Sequence, residues 1–271
     1  MTTETGCLVA QEPARPDSLP LVRVSGVALH AISESRCVRW VIDALGEGQG
    51  GWVVTANLDH LRRLLTDADY ASLCRDATLM VADGMPLIWA SRLQGTPLPE
   101  RVAGSNLISS LSAAAAERGR SIYLLGGAPG TAEAAAQVLK HQMPKLRVCG
   151  TSCPTISPEN QTSSVAELAE ELRLLNPDIV YVALGSPKQE ILIQDLRDRL
   201  PRTWWLGVGN SFSFLCGHVH RAPIWVQRVG FEWLHRLVQE PRRLGRRYLL
   251  DGCPFAVRLL FGAALRRIRS D

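Results

Sequence analysis

The chain alternates between short runs of consecutive apolar residues and longer stretches in which apolar residues recur every three or four positions. Short apolar runs next to Gly, Pro, Asn or Asp are typical of buried strands, and the three-to-four spacing is typical of amphipathic helices. The runs predict strands at residues 52–54, 79–82, 121–125, 147–149, 179–184 and 203–208. The spacing predicts helices at residues 33–45, 59–74, 87–93, 107–117, 131–142, 158–175 and 191–200.

Strands that alternate with helices predict an α/β fold, because parallel strands need crossover connections. We therefore expect a Rossmann-like, mainly parallel sheet with helices on both faces. Residues 21–31 alternate between apolar and polar and fit a strand or a hairpin arm. After residue 211 no strand is indicated, and helices are predicted at 222–233 and 241–269. The expected organisation is a flexible leader at 1–20, an α/β catalytic domain at 21–217, and a helical, Arg-rich C-terminal appendage at 218–271.

The composition is that of an ordinary globular protein, with 46% hydrophobic and 21% charged residues in a chain of 271. The seven cysteines lack the CxxC spacing of zinc or redox sites, so we interpret them mostly as small core residues in a reducing compartment. Cys149 and Cys153 could form a disulfide only in an oxidising compartment. The N-terminus does not read as a signal peptide, and no apolar run reaches the roughly 18 residues of a transmembrane helix. We expect a protein kept inside the cell.

The distribution of charge changes this picture more than the composition does. The chain carries a net charge of +4, but the segment from Arg221 to Asp271 holds eleven Arg and four acidic residues. Such an asymmetry indicates an anionic partner, which could be phosphate, nucleic acid or a lipid surface. Residues 253–265 are apolar but interrupted by Arg258, and a basic cluster follows. This pattern is typical of a helix that lies in a membrane interface; the alternative is a helix that packs on the main domain or on another subunit.

Polar residues follow two of the predicted strands directly. Thr55 and Asn57 end the strand at 52–54, and Asp83 ends the strand at 79–82. In an open parallel sheet, ligands bind outside the carboxyl ends of the strands. If the two strands are neighbours, these three side chains line one pocket. The alternative interpretation is a tight turn at Asp83 and a helix cap at Asn57.

Two further strand-to-helix connections could bind a phosphate or a sugar. Gly126 and Gly127 begin a GGAPG loop whose N–H groups could hold a phosphate. The loop is not G-x-G-x-x-G and lacks a P-loop lysine, so a nicotinamide-dependent Rossmann dehydrogenase is a weakly supported alternative. In the GSPKQE segment, Lys188 and Gln189 sit in the first turn of a helix, where they could contact a phosphate and a uracil or sugar edge. The alternative there is an ordinary helix N-terminus.

The appendage mixes arginines with aromatic residues. Arg221, Arg236 and Arg247 belong to this series, and arginine suits bidentate phosphate recognition. The alternative is a solvated helix face beside a Trp core stripe. Nucleic-acid binding ranks low, because the aromatics resemble core stripes. The six His form no metal-ligand set with cysteines or paired acids, so we predict no structural metal.

The order of the motifs carries a family resemblance. The motifs are TAN (55–57), VADG (81–84), ERVAG (100–104), LLGGAP (124–129), GSPKQE (185–190), GVG (207–209) with Phe212 and Gly217, RAP (221–223), EW (232–233) and EP (240–241). In this order the chain resembles the WecG/TagA/CpsF glycosyltransferases from about Val22 to Leu250. The resemblance implies an inverting enzyme that moves a hexose or N-acetylhexosamine-type sugar from a UDP-sugar to a polyprenyl-diphosphate-linked saccharide, in the synthesis of bacterial cell-surface polysaccharides.

The resemblance also implies roles for individual residues. Asp83 matches the catalytic base, and Thr55, Asn57 and Gln189 match the active-site pocket. The Arg-rich appendage would close the site and reach an anionic membrane surface, so the protein would be cytoplasmic and peripheral at the inner face of the membrane. No metal or other cofactor is implied, and homo-oligomerisation stays open. The complete set of expected substrate-binding residues is Thr55, Asn57, Arg101, Gly126, Gly127, Lys188, Gln189, Ser213, Arg221, Glu232, Arg236 and Arg247.

The chain departs from the family pattern at two positions. Ser213 stands where the family usually has an acid after the Phe of its GxxFxF segment, and Asn106 stands where it has an acid after the Gly of RxxG. Both residues keep hydrogen-bonding capacity but lose a charge. The alternative function is therefore a catalytically impaired family member that binds a UDP-sugar or a membrane.

Overall fold

A six-stranded parallel sheet forms the centre of the protein in a computed structural model that describes residues 19–154, 161–223, 225–226 and 230–270. The strand order is β4-β3-β8-β7-β5-β6, and every neighbouring pair is parallel. The strands are β3 (Gly51–Ala56), β4 (Leu79–Ala82), β5 (Ser121–Gly126), β6 (Arg147–Ser152), β7 (Ile179–Ala183) and β8 (Trp204–Gly207). The α/β fold with a mainly parallel sheet is thereby confirmed.

The apolar runs of the sequence become strands because both faces of the sheet are covered. Every residue of β5, β7 and β8 is buried. Successive side chains of a strand point to opposite faces, so Trp204 packs in the core on one side of the sheet and Trp205 in the core on the other. A parallel sheet buried on both faces needs such continuous apolar runs.

The helices of the α/β part follow the predicted spacing. Ser33 caps α1, its side chain accepting the backbone N–H of Arg36 at 3.2 Å. Residues 21–31 form the hairpin β1 (Leu21–Val24) and β2 (Val27–His30), which pair antiparallel. The helices are α1 (Glu34–Gly46), α2 (Leu58–Thr66), α3 (Ala68–Leu73), α4 (Met85–Leu93), α5 (Gly104–Glu117), α6 (Thr131–Gln142), α7 (Gln161–Leu175), α8 (Lys188–Arg197) and α9 (Ser211–Leu215). The first residues of the helix expected at 158–175 lie outside the described part.

The single helix predicted at residues 59–74 is wrong, because the chain forms two helices there. Asp67 separates α2 from α3 with an extended backbone, φ −130° and ψ 105°. Its carboxylate accepts the backbone N–H of Tyr70 at 3.0 Å and so caps α3. An internal Asp can start a new helix, and the apolar spacing alone does not reveal this.

The helix predicted at residues 222–233 is also wrong in its bounds. Ala222 and Pro223 are not helical, and Gly230 is in a turn with φ +85°. A side chain at Gly230 would come within 2.6 Å of Trp89 and 2.8 Å of Met85, so the backbone packs directly on α4. The helix α10 begins only afterwards, at Glu232–Gln239.

The predicted helix at 241–269 is confirmed as one continuous helical segment. It comprises α11 (Pro241–Gly245), a π-helical stretch (Arg246–Gly252) and α12 (Cys253–Ser270). α12 packs on α4 with Leu259 and Ala263, both buried. By length and composition alone, the described residues contain one helix that could cross a membrane, Arg246–Ile268, with a mean hydropathy of 1.4. Asp251 and Arg258 interrupt its apolar residues, so no uninterrupted apolar run in it reaches 18 residues.

The six cysteines of the described part are free thiols. Cys37 and Cys74 are buried, whereas Cys149, Cys153, Cys216 and Cys253 are half-buried, so the expectation that cysteines mainly fill the core holds for two of them. The expected leader at 1–20 lies outside the described residues except for Leu19 and Pro20.

Candidate active site

A cavity of about 430 Å³ lies at the carboxyl ends of four adjacent strands, β4, β3, β8 and β7. The sheet places Thr55 beside Val81 in register, so the residues that follow both strands share one edge. Thr55, Asn57 and Asp83 all line the cavity, as the sequence predicted. The appendage covers the opposite side with residues of α10, the π-helical stretch and α12.

Asp83 sits at the floor of the cavity and is held by backbone contacts. Its N–H donates to the carbonyl of Ala56 at 2.8 Å, and its carboxylate Oδ2 accepts the N–H of Gly104 at 3.2 Å. Burial raises the pKa of Asp83, and the nearby Arg101 guanidinium only partly opposes this. The carboxyl group is therefore a stronger base than an exposed aspartate.

Arg101 and the appendage meet above Asp83 in a short ion pair. Arg101 Nη1 donates to Glu232 Oε2 at 2.7 Å, and Arg221 Nε lies 3.7 Å from Glu232 Oε1. The second Arg221 group, Nη2, donates to Asn106 Oδ1 at 2.7 Å. A residue of α10 thus links two arginines that belong to different parts of the chain.

Asn57 serves both as a cavity residue and as a helix cap. Its Oδ1 accepts the N–H groups of Asp59 at 2.9 Å and His60 at 3.1 Å. His60 Nδ1 in turn accepts the N–H of Asn57 at 3.2 Å, which completes a capping box. The two interpretations offered by the sequence are therefore compatible, because the cap uses the amide oxygen.

Gln189 is held in one orientation by its neighbours. Its Oε1 accepts the N–H of Gly209 at 3.2 Å, and its Nε2 donates to Glu190 Oε1 at 2.8 Å. Glu190 is 2% exposed and its Oε1 lies 3.5 Å from His60 Nε2. Although burial raises the pKa of Glu190, the contacts with His60 and Gln189 bring it below the ordinary value. The amide of Gln189 is thus oriented before any ligand binds.

A second ion pair joins the appendage to the sheet domain. Arg247 Nη2 lies 3.1 Å from Asp59 Oδ2, and Asp59 also pairs with Arg62 and Arg63. Burial raises the pKa of Asp59, but these three guanidinium groups outweigh it and lower the pKa below its usual range. Arg236 lies over the ring of Phe214, 5.5 Å from its centroid. Two arginines of the appendage that line the cavity, Arg236 and Arg247, therefore contact residues of the sheet domain.

Comparison with known families shows which class of protein this chain belongs to. The family model described as "Glycosyl transferase WecG/TagA/CpsF family" matches residues 22–269. The chain belongs to the WecG/TagA/CpsF glycosyltransferases. The match confirms the resemblance seen in the motifs and extends it beyond Leu250, so α12 is part of the family region.

Two curated relatives of this glycosyltransferase have the same name, "N-acetylglucosaminyldiphosphoundecaprenol N-acetyl-beta-D-mannosaminyltransferase". The protein from Bacillus spizizenii is 30% identical over 202 residues, which cover 74% of this chain and 76% of the relative. The protein from Bacillus subtilis is 28% identical over 197 residues, which cover 73% and 75%.

The structure brings together most, but not all, of the residues expected to bind substrates of the glycosyltransferase. Eight of the predicted site residues line the cavity: Asp83, Thr55, Asn57, Arg101, Gln189, Glu232, Arg236 and Arg247. The cavity lining found among the described residues does not include Gly126, Gly127, Lys188, Ser213 or Arg221. Arg221 nevertheless reaches the site through Glu232. For all thirteen predicted residues, a role in catalysis or substrate binding stays a prediction.

The GGAPG loop of the glycosyltransferase lies two strands away from β8, at the end of β5. Gly127 has φ +87°, and a side chain there would collide with Thr131 Oγ1 and press on Phe212. Close packing therefore explains the glycines without a phosphate. Lys188 is exposed at the start of α8.

Several residues of the glycosyltransferase site escaped the sequence analysis. His60 and Glu190 form a buried pair, Asp59 holds Arg247, and Trp89 and Tyr248 form part of the wall. Only His60 gave a local signal, as the third residue after a capping Asn. Within the described residues no group of three or more His, Cys, Asp and Glu could hold a metal ion. The absence of a metal requirement stays a prediction.

Proposed function

We propose that this glycosyltransferase moves an N-acetylhexosamine-type sugar from a UDP-sugar to a polyprenyl-diphosphate-linked saccharide, with inversion at the anomeric carbon and Asp83 as the base. The names of the two relatives support the acceptor class and the sugar class. The observation that carries the proposal is the position of the Asp83 carboxylate at the floor of the cavity, with a raised pKa.

Asp83 would act on the acceptor hydroxyl. The carboxylate takes the proton while the hydroxyl oxygen forms a bond to the anomeric carbon, and the bond from that carbon to the UDP oxygen breaks. A base whose pKa is closer to neutrality accepts a proton more readily, and such a base typically contributes about 10²–10⁴-fold to the rate. The bond between Oδ2 and the N–H of Gly104 keeps one oxygen in place, so the other can face the acceptor.

The leaving UDP gains negative charge, which arginines can stabilise without a metal ion. Arg101, Arg236 and Arg247 line the same cavity as Asp83. Glu232 and Asp59 hold two of these guanidinium groups in place before the substrate arrives. Preorganised charges of this kind need little rearrangement during the reaction.

The appendage would also bring the enzyme to its lipid-linked acceptor. The outward side of α12 exposes Val257, Phe261 and Ile268, which are 65–72% exposed, with Arg258 among them. An apolar strip with basic residues is typical of a helix in the interface of an anionic membrane. Because the other side of α12 packs on α4, we infer that the helix lies on the membrane surface and does not cross it.

Asn106 suits its surroundings in this chain better than an acid would. Its Nδ2 donates to Glu34 Oε2 at 3.1 Å while its Oδ1 accepts from Arg221. A carboxylate could not donate to Glu34 and would repel it. The loss of the family's acid is therefore compensated locally, which favours an active enzyme over the catalytically impaired alternative.

The test measures release of UDP from UDP-N-acetylmannosamine with an N-acetylglucosaminyl-diphosphate acceptor on a short polyprenyl chain. Asp83→Asn should lower turnover by about 10²–10⁴-fold while UDP binding persists. Asp198→Asn is the matched control, since Asp198 is 80% exposed and remote from the cavity lining. An unchanged rate in Asp83→Asn would remove Asp83 from the role of base. Unaltered protein that binds UDP but turns over no UDP-sugar would support the binding-protein alternative.

A further inference from the structure

The cavity has two halves of different chemistry. The half at the strand ends is polar, with Thr55, Asn57, Asp83, Arg101 and Gln189. Residues of α4 and the appendage form an apolar, largely aromatic half, which consists of Met85, Trp89, Phe231, Trp233, Tyr248 and Ala256. The appendage also contributes the charged residues Glu232, Arg236 and Arg247 to the lining. A sugar nucleotide and a diphosphate need polar partners, so the polar half accounts for them. The apolar half requires a separate explanation.

Two elements build this apolar wall together. Met85 and Trp89 come from α4, and the backbone of Gly230 packs against both. On the appendage, Trp233 and Tyr248 meet edge to face, with ring centroids 6.3 Å apart. Phe231 contributes a ring that is 50% exposed. Large aromatic side chains left partly exposed in a cleft are typical of a binding site for an apolar group.

The wall continues to the outside of the protein along one helical segment. Tyr248, Gly252 and Ala256 face the cavity. Their neighbours Leu250 and Val257 are 70% and 69% exposed on the outward side of the same segment. An apolar path therefore leads from the cavity to the surface that we assign to the membrane.

We propose that the apolar wall binds the first isoprenoid units of the acceptor, next to its diphosphate, while the polar half holds the donor sugar nucleotide. This inference rests on the proposed function and specifies the subsite for its lipid. The lipid chain would then run along α12 into the membrane. The isoprenoid chain would pack between α4 and the appendage. Its contacts with both would hold the appendage over the cavity.

A competing occupant is the uracil ring of the donor, since aromatic rings also stack on bases. The wall, however, joins the exposed apolar strip, whereas Asn57 and Gln189, which follow strands of the sheet, carry the amide groups that a uracil edge needs. If the wall binds the isoprenoid, changes in the wall should weaken binding of prenyl diphosphates. If it binds uracil, the same changes should weaken binding of UDP.

The test measures binding of prenyl diphosphates by calorimetry, without vesicles and without turnover. Dimethylallyl, geranyl and farnesyl diphosphate carry five, ten and fifteen carbons on the same diphosphate. Since each buried CH₂ group is worth about 0.8 kcal/mol, or about fourfold, partial burial of one isoprene unit should tighten binding roughly tenfold from five to ten carbons. The gain should level off once the wall is covered.

Two variants test where the isoprenoid chain binds. Trp89→Ala and Ala256→Asp should each reduce the gain from five to ten carbons to about threefold or less, with UDP binding unchanged. Leu174→Ala is the matched control, because Leu174 is 71% exposed on α7, away from the cavity lining. Trp89→Ala could loosen the contact between α4 and Gly230. Ala256→Asp leaves that contact in place, so it tests the wall independently.

Three results would overturn the inference. Affinity that does not depend on chain length would show that the wall holds no lipid. A larger loss in Val257→Ser than in Trp89→Ala would place the chain on the outer surface. Weaker binding of UDP in Trp89→Ala would assign the wall to uracil. Failure of the proposed function would appear separately, as absent UDP release in the turnover assay, because prenyl diphosphate binding is measured without transfer.

Discussion

The sheet and the appendage supply opposite walls of one cavity, but they are held in place by different forces. Every residue of β5, β7 and β8 is buried. By contrast, α10 and the π-helical stretch contain no buried residue among those described. The sheet side is fixed by apolar burial, whereas the appendage is attached by two ion pairs, by the packing of α12 on α4 and by Gly230 against Trp89.

This difference suggests that the sheet provides a rigid part of the site and the appendage a part that can open. A catalytic base needs a fixed position, and Asp83, the proposed base, is held by backbone contacts at the end of a buried strand. In the proposed function, the arginines and aromatics of the appendage would admit and release a large lipid-linked substrate. Segments with few buried contacts open at low free-energy cost, so the appendage is suited to that task.

The largest expected effect separates the two regions by stability. Leu206→Ala should lower the free energy of unfolding by about 2–5 kcal/mol, because Leu206 is 1% exposed in the middle of the sheet. Leu250→Ala removes the same atoms from a side chain that is 70% exposed. It should change the free energy of unfolding by less than about 0.5 kcal/mol. Chemical denaturation of both variants checks this; equal losses would contradict the contrast.

The next effect concerns the membrane. The double variant Val257→Ser/Phe261→Ser should weaken binding to vesicles with anionic lipid about tenfold or more, because two exposed apolar side chains no longer insert. Its melting temperature and its UDP binding should stay unchanged. Co-sedimentation with vesicles measures the first quantity. Vesicle binding as strong as that of the unaltered protein would exclude α12 as the membrane contact.

A smaller effect tests the cost of the raised pKa of Asp83. Between its ordinary value of 3.8 and its raised value, the native state holds a proton that the unfolded chain releases, so the free energy of unfolding falls as pH rises. Asp83→Asn removes this penalty. At neutral pH it should therefore raise the melting temperature. The gain should vanish below pH 3.8; a gain that persists there would point to another cause.

The smallest expected effect concerns the attachment of Arg247. Asp59→Asn weakens the ion pair and should raise the KM for the donor about two- to fivefold, since a partly exposed pair contributes at most about 1 kcal/mol. Because the pKa of Asp59 is lowered, the pair is intact at neutral pH and is lost only below the ordinary value of 3.8. Glu170→Gln, which breaks the exposed pair with Arg173, is the control. Equal KM values for both variants would show that Asp59 does not position Arg247.

The sequence by itself determined the α/β class, the six strands, the possible cap at Asn57 and the polar residues at the ends of β3 and β4. These features are local, because apolar runs, capping residues and strand-end positions are readable over a few residues. The place of Asp83 at the carboxyl end of a buried strand followed from this pattern, and so did its neighbours Thr55 and Asn57. The order of the motifs then identified the family.

Only the tertiary structure decided which strand ends meet. The order β4-β3-β8-β7 brings Asp83 and Gln189 into one cavity and leaves the GGAPG loop at the end of β5, and no local pattern encodes that order. The ion pairs of Arg101 with Glu232 and of Arg247 with Asp59 join residues 131 and 188 positions apart in the chain. Burial likewise depends on the completed fold, and burial is what raises the pKa of Asp83. Long-range packing therefore brought residues that the sequence had identified separately into one cavity.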